Sequence, residues 1–535
     1  MQIPDRIIIK GEIFKQKDEY SENELNSEIT LEEIVKALKS AQNSKSSGPD
    51  GFVYEMLKNN TQEASLILVK LFNRIKNNER IPWETSWTLP IYKNGNRNSL
   101  SSYRCINLSS CIEKLLTKII NERLSRWCKT HQIINPEQTG FRKGNSVLDN
   151  ILLLKEVMKI YKKLKQAVYI CFLDLSKAFD SIPLNNLKLK LHAILPEGSL
   201  LSLIINLIEN KNYRVLYNGE ETELFTLTGG VPQGDSMSPT LFCLYINDLV
   251  DALRQNENVT DPVIVKDMKV ATVIYADDIV LMSQSQEGLI KQIRIVQDFC
   301  SGNGLKINYE KTKIMIANSK PKYKCLEMMV KDTKQEIEIV NNYKYLGMWI
   351  NYKNSNKKHI EALEKSGRKS SFMTTRKLKE FGETNGKILS DTFEMLSISK
   401  MKYCAELCFR DNLSKLNQIQ YQFYKRFCYL KITTPNYCLI GEFGIKPMEY
   451  HFYKAALRYW VRILQSDEKS IMKQLYNQIS TNMEEQCFDN TWCSLIRKLL
   501  SDLNLEDLWL NQDSHEKLNY KCKIDTRLKD YFREK

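Results

Sequence analysis

The sequence predicts an α+β fold, with strands and helices mixed through the first two thirds of the chain and a helical remainder. Three observations predict it. Short apolar runs rich in strand formers, at 169–173, 270–274 and 279–282, are set among segments with helical spacing. From about residue 355 the strand signals fade and Lys-rich helical periodicity takes over. At 535 residues and 42% hydrophobic, the chain exceeds the size at which a single core stops growing, so two or three packed domains are expected.

Residues 1–28 are polar and without a clear period, and read as a connector. Thr30 with Glu33 forms a capping box, and Leu31, Ile34, Val35 and Leu38 carry a helix forward to the breaker Ser46-Ser47-Gly48-Pro49-Asp50-Gly51. Residues 87–104 are strand-like with basic residues and turn formers, and Ile112, Leu115, Leu116, Ile119 and Ile120 mark a second helix. The run at 169–173 ends on Asp174, and helical spacing returns after Pro183 through Leu184, Leu187, Leu191 and Ile194. After the loop Gly229-Gly230-Val231-Pro232-Gln233-Gly234, Ser238 as cap and Pro239 as first helical residue open a helix through Leu249. The runs at 270–274 and 279–282 then form a hairpin with Asp277 and Asp278 at its turn. Domain boundaries are placed near 350 and, at Thr433-Thr434-Pro435-Asn436, near 432. This divides the chain into 1–28, 29–350, 351–432 and 433–535.

With 78 Lys and Arg against 64 Asp and Glu, the net charge of +14 points to a polyanionic partner. The 14 cysteines are scattered and the first residues lack the apolar core of a signal peptide, so a reducing compartment, cytosol or nucleus, is expected. No apolar run approaches the roughly 20 residues of a bilayer span, and no membrane partner is expected.

Adjacent aspartates in a turn between apolar strands have a bland explanation, since Asp tolerates turn geometry. Here, however, both strands look buried on both faces, and uncompensated charge at the rim of a core is costly unless a cation shares the site. Asp174 ends another apolar strand. Hard oxygen ligands on rigid neighbouring strands suit a pair of Mg²⁺ ions bridged by substrate phosphates, with Mn²⁺ as a substitute.

Three ordered segments carry a resemblance: Phe172-Leu173-Asp174-Leu175-Ser176-Lys177-Ala178-Phe179-Asp180, then Gly230-Val231-Pro232-Gln233-Gly234-Asp235-Ser236-Met237-Ser238-Pro239, then Tyr275-Ala276-Asp277-Asp278. They resemble the successive palm motifs of reverse transcriptases, in wording closest to the non-LTR, LINE-type and jockey-like retrotransposons. Ser47-Gly48-Pro49-Asp50-Gly51, Tyr103-Arg104-Cys105-Ile106-Asn107-Leu108, Gln138-Thr139-Gly140-Phe141-Arg142, Gly304-Leu305-Lys306-Ile307-Asn308 and Tyr345-Leu346-Gly347 extend the likeness over about residues 30–350.

The resemblance implies a right-hand polymerase, with fingers and palm at 29–350 built on an antiparallel sheet flanked by helices, and a helical thumb at 351–432. It implies RNA template, DNA primer and deoxynucleotides as partners. Asp174, Asp277 and Asp278 would be metal ligands, with the backbone carbonyl of Leu175 an extra one. Phe179 would exclude a ribose 2′-hydroxyl, Gln233 and Gly234 would pack against the incoming nucleotide, and Lys93 and Arg104 would grip its triphosphate. Lys311 stands where the family carries a basic residue that protonates pyrophosphate as it leaves; Leu346 and Gly347 match the primer grip, and Arg142 would touch the template backbone. Cys105 replaces the family's proline, for which a small change in loop stiffness is expected.

Lys357, Lys358, Lys365, Arg368, Lys369, Arg376, Lys377 and Lys379 crowd the expected thumb, where they would neutralise phosphates. The spacing of Cys487, Cys493, His515 and Cys522 does not suit a zinc knuckle, and 433–535 is a helical region without an assigned task. No nuclease motif stands out, so the chain reads as a fragment, with target cutting left to a separate or missing endonuclease. A polymerase is the main expectation. The alternative is an adopted nucleic-acid-binding remnant that no longer polymerises, and an intron maturase or a telomerase fits the motif wording less well.

Overall fold

The computed structural model describes residues 22–534, without 84, 210, 321–322, 331–332, 383–384, 484–487 and 513–516. Its larger sheet has six strands in the order Cys325–Val330, Thr333–Ile339, Lys313–Ala317, Val168–Asp174, Asp278–Ser283 and Thr272–Tyr275. Neighbours are antiparallel except for Lys313–Ala317 with Thr333–Ile339, which run parallel. Strand side chains alternate between faces, and here both faces are covered. Val168, Ile170, Phe172, Val280 and Met282 enter one apolar core, while Cys171, Leu173, Ile279 and Leu281 enter another. Burial on both sides is why these strands read as unbroken apolar runs.

A second sheet is ordered Tyr103–Leu108, Thr85–Tyr92, Asn212–Tyr217 and Glu220–Glu221, with Phe225–Thr226 also on Asn212–Tyr217. The strand-like stretch at 87–104 is therefore most of an antiparallel hairpin, with Ile91 opposite Arg104 and its turn formers in the connecting loop. Cys105 lies within a strand, opposite Pro90, so there is no loop at that position for a proline to stiffen.

The capping box forms as expected: Glu33 N donates to Thr30 Oγ1 at 3.3 Å and Thr30 N to Glu33 Oε2 at 2.9 Å. The described part of the expected connector is instead docked. Glu22–Asn26 is helical, Leu25 and Ile29 are buried, and Arg123 donates to the carbonyls of Leu25, Ser27 and Glu28 while pairing with Glu33. A buried arginine that satisfies three carbonyls replaces the missing apolar period, and periodicity cannot reveal it. Ser238 is not a cap either. Met237 bounds the helix Ser238–Tyr245, and Ser238 Oγ donates back to the Pro232 carbonyl at 2.7 Å. The expected single helix breaks at Asn247, whose side chain is drawn off to Asn135 N and the Ile133 carbonyl.

The remainder is helical, as expected, but the core does not divide near 432. One apolar cluster joins the helix Val147–Lys163, the region around Lys357–Glu380 and Ser414–Phe427, and the tail helices Met448–Leu464, Ile471–Thr481 and Trp492–Asp502. Polar ties reinforce it. Trp492 donates its backbone N–H to Glu156 at 2.8 Å and its indole N–H to the Glu406 carbonyl at 2.8 Å. Asp149, on the first turn of Val147–Lys163, accepts from Ser146 N at 2.7 Å and Tyr459 Oη at 2.8 Å, and pairs with Arg462. Burial pushes the Asp149 carboxyl up, and Arg462 beside it pulls it back. Asp149→Ala removes the shared acceptor of two tail residues. We expect a loss of about 3–5 kcal/mol, read as a lower urea midpoint and earlier proteolysis of the tail; an unchanged midpoint would mean that apolar contact alone docks the tail.

Candidate active site

The register of the central strands builds the site. Asp278 is directly opposite Asp174, and Tyr275 opposite Asp278, so two carboxylates share one end of the sheet and Asp277 joins them from the turn. Ala276, just before Asp277, has φ +56, a left-handed conformation uncommon for a residue with a side chain. Leu175 continues from Asp174 into an isolated bridge with Ile307.

Three carboxylates this close oppose one another's ionisation. Asp278 is pushed up to about 6 by burial and then by Asp277 and Asp174. Burial also raises Asp277, with Asp174 adding to it, while its own backbone N–H, Arg104 and Lys93 pull it back. Both side chains are open to solvent, yet protein surrounds them closely enough to weaken their hydration. Asp174 is half-buried; its Oδ2 accepts no hydrogen bond and has Lys311 Nζ 3.6 Å away. An orphaned carboxylate oxygen beside two mutually repelling carboxylates suits a divalent cation. Among the described residues, no three such side chains close around one point.

Backbone clamps hold these groups. Asn308 N donates to the Asp174 carbonyl at 2.9 Å and Asp174 N approaches Thr312 Oγ1 at 3.3 Å, so the 308–312 turn that carries Lys311 frames Asp174 on both sides. The hairpin turn is held by fully buried Gln138, whose Oε1 accepts from Gly140 N at 3.0 Å and Ala276 N at 3.1 Å. Thr139 N donates to the Ile274 carbonyl and Ile274 N to that of Glu137, locking the segment alongside the strand. A Cβ on Gly140 would stand 2.4 Å from Ala276 N, so only glycine fits. In the sequence only Arg142 of this segment suggests a task; the adjacent glutamine and glycine are the signal for the clamp.

Arg142 takes part in the same segment. Half-buried, it donates from Nη1 to the carbonyls of Asn135 at 2.9 Å and Gln138 at 3.0 Å, and so braces the loop. Its guanidinium satisfies carbonyls that a tight loop leaves free, which a motif cannot disclose.

The other expected residues are each fixed by contacts of their own. Phe179 is half-buried and stacks on Phe242 at 4.6 Å, and its carbonyl accepts from Val231 N at 2.9 Å. Gln233 bonds Asp180 Oδ1 through Nε2 at 3.1 Å, and its carbonyl accepts from Asn107 N at 2.8 Å. Gly234, at φ +109, leaves only 2.9 Å between an added Cβ and the Asn107 carbonyl. The loop is thus knit to the strand that carries exposed Arg104. Leu346 and Gly347 form the turn of the hairpin Asn342–Tyr345 with Met348–Asn351. Tyr343 of that hairpin stacks on Phe172 at 4.2 Å, and Tyr403 donates to the Leu346 carbonyl at 2.6 Å.

On Lys357–Glu380, Arg368 pairs with Glu364 and Arg376 with Glu380, while Lys358 lies over Trp349 and Lys379 over Tyr429. Lys357, Lys365, Lys369 and Lys377 are exposed without an ion pair among the described residues, beside exposed Phe372 and Met373. Of the four residues weighed for zinc, Cys487 and His515 lie outside the described residues and Cys493 is buried.

Gln138→Leu removes the acceptor from two buried N–H groups, and Gly140→Ala pushes a methyl into the turn. Each should speed hydrogen exchange at Ala276 by roughly tenfold or more while leaving the far strands Lys313–Ala317 protected. Unchanged exchange at Ala276 in both variants would remove Gln138 from the clamp.

Residues 91–350 match the reverse transcriptase (RNA-dependent DNA polymerase) family. The chain is 28% identical over 53% of its length to a probable RNA-directed DNA polymerase from transposon BS of Drosophila melanogaster, covering 32% of that protein. It is 24% identical over 66% of its length to the RNA-directed DNA polymerase from mobile element jockey of the same species, and over 53% to the Pol polyprotein of the type-1 retrotransposable element R2 of Popillia japonica, covering 39% of each. An apo telomerase from Candida tropicalis superposes with a TM-score of 0.37 at 12% identity, over 74% of this chain and 68% of that one. The chain thus spans about a third of the length of the curated relatives it matches. The motif order, the sheet that pairs Asp174 with Asp278 and the family match together make residues 91–350 a reverse transcriptase domain.

Proposed function

We propose that this chain is an RNA-directed DNA polymerase that adds deoxynucleotides to a primer 3′-hydroxyl on an RNA template. The observation that carries the proposal is the meeting of Asp174, Asp277 and Asp278 at one sheet end, with Arg104 and Lys93 close enough to stabilise the Asp277 charge. We read the cations as two Mg²⁺, for which Mn²⁺ would substitute, held by the three carboxylates and the Leu175 carbonyl. When bound, they supply activation of the attacking hydroxyl and neutralisation of the departing pyrophosphate.

The chain's own residues supply the rest. Arg104 and Lys93 bind and orient the triphosphate; the planar guanidinium suits two phosphate oxygens at once. Phe179, fixed by its stack on Phe242, sets a floor against which a 2′-hydroxyl would clash. Gln233 and Gly234 bring backbone close to the incoming nucleotide. Lys311 carries a proton next to Asp174 for the leaving pyrophosphate. Leu346 and Gly347, fixed by Tyr403, seat the primer end, and the unpaired lysines with Phe372 on Lys357–Glu380 hold the duplex as a thumb. Arg142 supports this indirectly, by bracing the loop that clamps the hairpin. The described cysteines are all free thiols, which suits a reducing cytosol or nucleus. Among the described residues no helix is long and apolar enough to cross a membrane.

Primer extension on an RNA template with Mg²⁺ and deoxynucleotides tests the proposal. Product is expected from the wild type, and Asp277→Ala should lower its rate by roughly a thousandfold. Asp278 must lose its proton to take a cation, so extension at fixed Mg²⁺ should fall as pH drops through about 6 and recover with added Mg²⁺. No product from folded wild type, or product indifferent to Asp277→Ala, would overturn it.

A further inference from the structure

Tyr403, which fastens the Leu346–Gly347 turn, also borders a cavity of about 730 Å³ between the helical region after 351 and the tail. Five basic side chains line it, Lys402, Lys446, Lys454, Arg458 and Arg462, against the two carboxylates of Glu394 and Glu406. Lys454 and Arg458 share Asp525, and Arg462 holds Asp149. Lys402 and Lys446 have no carboxylate within ion-pair distance among the described residues, and both are exposed. The field is felt by His451, pushed down to about 4 by burial and by Lys402, Lys446 and Lys454. Burial holds the Glu406 carboxyl up, and Arg462 and Lys402 pull it back.

Aromatic faces lie among these cations. Lys446 and Lys454 sit 4.7 and 5.8 Å from the Tyr450 ring centre, and Tyr403 is 40% exposed. Clustered cations with interleaved rings suit an unpaired strand, whose phosphates and bases can both be bent into a pocket. A duplex, with its phosphates on a rigid cylinder, cannot enter a cavity of this size.

Position favours the same occupant. The cavity wall includes Ser146, Val147 and Leu148, which follow the 138–145 loop that clamps the Asp277 turn, and Tyr403, which touches the Leu346–Gly347 hairpin. The pocket thus adjoins both the clamp segment and the Leu346–Gly347 hairpin. We propose that this pocket is a second nucleic-acid site, which takes the phosphates of a single strand, RNA or DNA, outside the catalytic cleft. The proposal rests on the polymerase reading for the source of that strand, but its binding chemistry stands on the pocket's own residues.

The test uses the full chain and labelled oligonucleotides: single-stranded RNA, single-stranded DNA of the same sequence, and a blunt duplex, each over a range of salt. The double variant Lys402→Gln/Lys446→Gln should bind single strands roughly tenfold more weakly, with the salt slope reduced by about 1.4, as for two lost phosphate contacts. Duplex binding and extension of a short primed template should stay at wild-type level, and Lys402→Arg/Lys446→Arg should retain strand binding. Loss for both strands assigns the site to phosphate recognition, and loss for RNA alone assigns it to RNA. Unchanged strand binding, or equal loss for the duplex, overturns the site. A wild type that binds strands through Lys402 and Lys446 but extends no primer would refute the polymerase reading and leave this pocket standing.

Discussion

Mutual repulsion among three carboxylates is the constraint around which this molecule is arranged. The pairing of Asp278 with Asp174 would be unstable on a floppy support, because side chains free to move would part. Six strands, apolar on both faces, deny them that freedom. Burial first, and then repulsion from Asp277 and Asp174, raises the Asp278 carboxyl, and a divalent cation between the carboxylates would relieve that repulsion. A site of this kind trades local stability for chemistry, and the surrounding structure has to supply the difference.

That supply comes from clamps more than from the carboxylates' immediate neighbours. Gln138 and Gly140 fix the turn from one side, and the 308–312 turn frames Asp174 from the other. Behind Gln138, Thr139 Oγ1 donates to Asn150 Oδ1 at 2.7 Å, and Asn150 is followed in space by Tyr345 and preceded in sequence by Asp149. Asp149 is held by Tyr459 and Arg462 of the tail. Polar contacts joined through the adjacent residues Asp149 and Asn150 thus run from the C-terminal helices to the segment that clamps the Asp277 turn. It gives residues 433–535 a physical part in the site despite their distance along the chain.

The sequence was most legible where one local rule decided the outcome. Strand 169–173 ending on Asp174, the hairpin at Asp277 and Asp278 and the Thr30 capping box all follow from period, turn chemistry or caps. The gathering of Asp174 with Asp278 came from motif order, since spacing alone does not bring strands together. What escaped was decided by partners remote in sequence. Residues 22–28 look like a connector until Arg123 is seen to collect their carbonyls, and the motif around Arg142 does not disclose that it also braces Asn135 and Gln138. Ser238 carries the residue type of a cap, but its hydroxyl is spent on Pro232. A buried core continuous across 432 could not be anticipated from a Pro-containing interruption, which breaks a helix without parting the surfaces packed around it.

The central claim is that the carboxylates of Asp174, Asp277 and Asp278 form one cation site. Titration of the protein with Mn²⁺, followed by electron paramagnetic resonance in the presence and absence of a deoxynucleotide, tests it most directly. Saturable binding that tightens with nucleotide and is lost in Asp174→Asn and in Asp278→Asn is the predicted result; binding of equal strength in wild type and both variants would contradict it.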